Sequence, residues 1–115
     1  MTTSDFLDMP RFREPERHNR ANLSVQASSS HYCTPRSNAC EDIDGYISVE
    51  VGLIHPKTGE LCRPTDMLNP FTRHIPITRR AKEARTLDGL FESGSSPVAG
   101  YVSQDNLNRL REWLA

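Results

Sequence analysis

No run of apolar residues in this chain approaches the roughly 18 that a membrane-spanning helix needs. The first residues, with Asp5, Asp8 and Pro10, also lack the basic-then-apolar layout of a secretory leader. Both absences point to an unexported, cytoplasmic protein with no membrane partner. Cysteine is scarce: three residues is an odd number, at spacings that match no disulfide framework, so reduced thiols are expected. An excess of one charge sign is missing too. With 14 Lys and Arg against 15 Asp and Glu the net charge is −1, which gives no global drive towards nucleic acid, and duplex DNA is not an expected partner. Strong core formers are few: Leu, Ile, Val and Phe make 24 of 115 residues, just above the level of about one-fifth below which chains tend not to fold. That length and composition support one domain with a thin core. Its eight prolines imply either irregular stretches or apolar surface completed by a partner or by a second copy in a homo-oligomer.

What is present is organised around residues 31–54, HYCTPRSNACEDIDGYISVEVGLI. Ile47, Val49, Val51 and Leu53 alternate with Tyr46, Ser48, Glu50 and Gly52, the period of a strand with one buried face. Leu23, Val25 and Ala27 repeat the pattern more weakly and predict a strand pairing with it. His55-Pro56-Lys57-Thr58-Gly59 predicts a chain reversal, after which Glu60–Arg63 returns as a short third strand. Val98–Val102 is a candidate fourth. The clearest helix follows Ser103, a good N-cap, with Leu107, Leu110 and Leu114 on one face, Trp113 beside them, and Val102 and Leu107 placed as a hydrophobic staple. Residues 64–77 read as an ordered, proline-containing loop, and Thr78–Thr86 as a short basic helix. Residues 1–21 alternate arginines with acids around Pro10 and Pro15 and read as an N-terminal arm, whose Phe6, Leu7, Met9 and Phe12 are apolar enough to dock on the body, on a second subunit or on a target. The expectation is an α+β domain over residues 22–115, a small antiparallel sheet of three or four strands packed by a C-terminal helix.

Several constellations carry chemistry in principle. His31-x-Cys33 with Cys40 and Cys62 supplies four zinc-capable side chains, but without the paired-cysteine knuckles of structural zinc sites, so no metal is expected. Cys33 with His31, at i and i+2 on one strand and so on one face, imitates a nucleophile and base, yet Thr34-Pro35 directly after it removes a backbone donor where an oxyanion hole would be needed. No catalytic residue is assigned, and no enzyme or cofactor is expected. The run Glu41-Asp42-Ile43-Asp44-Gly45 matches part of a calcium loop but puts Cys40 at the first ligand position and Val51 at the last, and so reads as an acidic turn.

Two surfaces remain as binding candidates. Met67, Leu68 and Phe71 precede the arginines Arg79, Arg80 and Arg85, combining apolar anchors with a charged rim suited to a protein partner. Alternatively, His31, Tyr32 and Arg36, together with the basic 79–85 segment, could hold a small anionic ligand such as a nucleotide. The order H-Y-C-T-P-R (His31–Arg36), V-E-V-G (Val49–Gly52) and G-Y-V-S (Gly100–Ser103) before a final helix resembles small phage-encoded accessory proteins. The resemblance implies a non-enzymatic inhibitor acting in a bacterial cytoplasm on a host protein complex, anti-defence or anti-CRISPR factors included. It carries no functional residue over to this chain.

Overall fold

The structure, a computed structural model, describes residues 12–38, 40–68, 79–91 and 98–115. It is an α+β fold, as expected: a sheet lies against two helices. Strands β1 (Glu16–Arg17), β2 (Asn22–Gln26), β3 (Ser48–Ile54) and β4 (Leu61–Cys62) form an antiparallel meander in chain order. β5 (Val98–Ser103) then returns to β3, antiparallel, so β4 and β5 occupy successive stretches of the same edge. Helix α1 spans Arg79–Asp88 and runs into a 3-10 turn at Gly89–Phe91, while α2 spans Gln104–Leu114.

The register sets the core. Leu23 opposes Leu53, which opposes Cys62; Val25 opposes Val51, which opposes Ala99; Val49 opposes Val102. Directly paired residues share a face of a sheet. These rows therefore present one apolar surface, and Leu107, Leu110, Trp113 and Leu114 of α2, with Ala84, Leu87 and Phe91 from α1 and its extension, close it. α2 starts as its sequence predicts, with Ser103 Oγ accepting from the Asn106 N–H at 3.2 Å. In α1 the buried positions Ala81, Ala84 and Leu87 recur every third residue, and two of them are small, which lets the helix lie close.

Four expectations are corrected. Ile47 is 72% exposed rather than buried: a 3-10 turn at Ile43–Gly45 precedes β3, which begins only at Ser48, and Tyr46 takes the inward position, its hydroxyl donating to the Ser37 carbonyl at 2.5 Å. The other face of β3 is not open either. After β2 the chain crosses over that face, with the Tyr32 N–H donating to Glu50 and the Tyr32 carbonyl accepting from the Tyr101 N–H, and it rejoins the sheet where Thr34 bridges Ser48. Ser48 is buried beneath this crossing, and Leu61 covers Gly52, where a Cβ would stand 2.8 Å from its Cδ2. His31 and Cys33 accordingly sit in turns, not on a strand. The third strand contracts to two residues. The reversal before it is made as predicted, with Gly59 at φ 73° and its N–H donating to the His55 carbonyl.

The described part of the expected arm is bound into the domain. β1 pairs with β2, and Arg13 exchanges hydrogen bonds with Gln26 through its backbone N–H and carbonyl. Arg111 grips Glu16 with both Nε (3.1 Å) and Nη2 (2.7 Å), while His18 Nε2 lies 2.9 Å from the same carboxylate. Burial raises the Glu16 pKa, but the hydrogen bonds from Arg111 and then His18 outweigh it and hold the group below its ordinary 4.5. Phe6, Leu7, Met9, Phe71 and Thr78 lie outside the described residues.

Two outcomes test this packing. Leu110→Ala is expected to cost about 2–5 kcal/mol in chemical denaturation, and Ile47→Ala to stay within about 0.5 kcal/mol; equal losses would place Ile47 back in the core. Glu16→Gln is expected to cost about 1 kcal/mol at neutral pH. Because the folded pKa is depressed, the carboxylate's contribution is complete above its ordinary 4.5 and is lost as pH falls through the lowered value. The gap between parent and variant should therefore close on acidification, and a gap independent of pH would show that the ion pair is not its source.

Candidate functional site: an arginine cleft between the helices

The C-terminal half of α2 carries a buried indole that needs a hydrogen-bond acceptor. Trp113 Nε1 finds it in the Arg80 carbonyl at 3.2 Å, and Arg80 Nη1 donates in return to the Trp113 carbonyl at 2.9 Å. The Arg80 guanidinium consequently lies over the indole, 4.2 Å from the ring centroid. One turn further along, Arg109 of α2 reaches Glu83 of α1 at 2.9 Å and also contacts Asn106. Arg20, in the turn between β1 and β2, approaches from the third side: its N–H donates to the Leu114 carbonyl and its Nε to the Ala115 oxygen.

These contacts leave a cleft of about 610 Å³ lined by Arg20, Arg79, Arg80, Glu83, Arg109, Glu112 and Trp113. Four guanidiniums face two carboxylates across it, so the lining carries a net charge of two positive on a protein whose own total is −1. Burial, and then the like charge of Arg20, push the Arg80 pKa below its ordinary value, though an arginine remains protonated at neutral pH. Arg20 and Arg80 thus lie close enough for their charges to repel.

Of the six partner-binding candidates, Arg79 and Arg80 line this cleft. Arg85, five residues beyond Arg80 on α1, is exposed and turned about 140° away. Met67 and Leu68 are half-buried against the core instead of standing free. Their 3-10 turn, Pro64–Met67, is pinned to the end of α1 by Asp88, which accepts from the Thr65 N–H at 3.0 Å and from its hydroxyl at 2.6 Å. Arg20, Arg109 and Trp113 were absent from the candidates; the available signal was Arg109 and Glu112 on the polar side of a helix whose apolar side ends in tryptophan.

The alternative ligand set is divided. His31 is buried, its Nδ1 lying 2.6 Å from Ser28 Oγ and its ring meeting Phe12 edge-on at 5.0 Å. Tyr32 and Arg36 are exposed at the centres of two tight turns, Cys33 N–H to His31 carbonyl and Ser37 N–H to Pro35 carbonyl. Arg36 lies over the Tyr32 ring at 5.4 Å, and Tyr101 adds a second exposed ring 6.0 Å away. This ledge sits on the opposite face of the sheet from α1, so it does not join the 79–85 arginines around one ligand. Tyr101 has φ 53°, a conformation that costs a non-glycine residue about 1–2 kcal/mol, at a bulge where Gly100 and Tyr101 together face Glu50.

The remaining chemistry is enclosed. The Cys33 thiol donates to the Ser28 and Pro35 carbonyls. Burial pushes the Cys62 thiol up to about 11, with the charges of Asp66 and Asp88 adding to it, which disfavours the thiolate that metal binding or attack requires. Among the described residues no three His, Cys, Asp or Glu side chains are grouped to hold a metal ion, and no helix is long and apolar enough to cross a membrane. Compared with family models, curated proteins and solved structures, the chain matches none of them.

The ledge supplies a packing test. A Cβ at Gly100 would stand 3.0 Å from the Tyr32 Cβ, and Tyr32 is held by hydrogen bonds at both its N–H and its carbonyl, so Gly100→Ala is expected to lower stability by about 1 kcal/mol or more. Gly89 has open space where a Cβ would go, and Gly89→Ala should be neutral or stabilising by about 0.4–1 kcal/mol. Thermal melts that rank the two variants the other way would refute this reading of the bulge.

Proposed function

We propose that the protein is a non-enzymatic binding protein that engages an anionic surface of a larger protein assembly through the cleft between α1 and α2. The observation that carries this reading is the convergence of Arg20, Arg79, Arg80 and Arg109 from three separate parts of the chain onto one open cleft of about 610 Å³. Arginine presents a planar fork of donors to carboxylate or phosphate and is enriched at interface hot spots, and a rigid guanidinium loses little entropy on binding. On the resemblance carried by His31–Arg36, Val49–Gly52 and Gly100–Ser103, the assembly is a host complex that the protein inhibits by occupying it, in the manner of an anti-defence or anti-CRISPR factor. A second reading, sequestration of a small anionic ligand such as a nucleotide, is favoured by the size of the cleft, which falls within the roughly 300–1,000 Å³ of small-molecule sites.

Affinity capture from a bacterial host lysate with the parent and with the double variant Arg79→Glu/Arg80→Glu tests the first reading. A protein retained in stoichiometric amount by the parent should associate more slowly with the variant, and its binding should depend less on salt. If the folded variant holds the same protein with the same salt dependence, the cleft is not the contact surface.

A further inference from the structure

The cleft's charge and the fixation of its guanidiniums define the anion more narrowly. We infer that the cleft is a phosphoryl-group site: a doubly charged phosphate oxyanion, carried by a nucleotide or by a phosphorylated side chain, is what its arginines take. This rests on the reading that the cleft is where the protein binds.

Charge matching comes first. A net lining charge of two positive is balanced by a phosphoryl group, which carries about −1.5 to −2 at pH 7, whereas a single carboxylate leaves half of it unmatched. Geometry comes second. One carboxylate is satisfied by one guanidinium fork, but the three oxygens of a phosphoryl group accept from several forks arriving at different angles, and here they arrive from the β1–β2 turn, from α1 and from α2. Preorganisation comes third. Arg80 is fixed on the indole and by its bond to the Trp113 carbonyl, Arg109 by Glu83 and Asn106, and Arg20 by the Ala115 oxygen. Each of these contacts uses only part of a five-donor side chain and leaves other N–H groups for a ligand. The same stacking sets a limit: Arg80 covers the Trp113 ring, so no nucleobase stacks on that face.

Trp113 is the only tryptophan of the chain, so its fluorescence reports the cleft directly. The full-length protein is titrated at pH 7.5 with sodium pyrophosphate, against sodium chloride at matched ionic strength. A saturable change with pyrophosphate alone is expected. Arg80→Lys keeps the charge but loses the fork, and should weaken binding about tenfold. Exposed Arg79→Ala should also weaken it, which keeps the test valid should the Arg80 variant lose its packing on the indole. ADP and a phosphoserine peptide, titrated in parallel, should each bind in a way that Arg80→Lys weakens, and the tighter of the two identifies the carrier. A hexaglutamate peptide separates the two levels of the reading. If it binds in an Arg80-dependent way and pyrophosphate does not, the phosphoryl inference is overturned while the cleft stands as an acidic-partner site. If neither probe changes the fluorescence, both are overturned, and if the pyrophosphate response is the same in both arginine variants, the site is not the one described.

Discussion

The indole N–H of Trp113 is the requirement on which the arrangement of the helices depends. A tryptophan buried at the end of α2 must place its donor on an acceptor. It takes the Arg80 carbonyl, and that one bond brings the first described turn of α1 onto α2, lays Arg80 across the ring and sets Glu83 within reach of Arg109. The cleft follows from this. Its arginines are not decoration on a finished scaffold, because two of them also hold the helices together.

β3 plays the corresponding part in the sheet. Its two edges serve three other strands, and its non-helical face is crossed by the chain between β2 and Thr34. A strand covered on both sides explains why its burial does not alternate, although its sequence does. Ser48 and Gly52 fit beneath covering segments because they are small, and Glu50 fits because its carboxylate accepts the Tyr32 N–H.

Local signals were therefore legible, and long-range ones were not. The cap at Ser103, the leucines of α2, the strands at 22–26 and 48–54 taken singly and the reversal at Gly59 could all be read from the chain, because each is decided by residues a few positions apart. The misplacement of Ile47 has a related origin: its period fits the strand, while the inward Tyr46 and the hydrogen bond from the Ile47 N–H to the Thr34 carbonyl, made across thirteen residues, leave it outside. For the cleft, spacing pointed to Arg79 and Arg80. It could not add Arg20 and Arg109, since these meet only when the β1–β2 turn caps the end of α2 and the two helices pair. Likewise Tyr101 lies far from Tyr32 in sequence, and the aromatic pair exists only because the crossing segment bonds to a bulge in β5.

That bulge also bears on how the molecule keeps to itself. Among the described strands β5 pairs only with β3, so its other side is the kind of border along which sheets of separate molecules fuse. A left-handed residue in the middle of a six-residue strand breaks the regular spacing of backbone donors and acceptors, and an incoming strand finds no continuous ladder to extend. The twist that turns Tyr101 outward thus makes this border a poor template for a strand of another molecule.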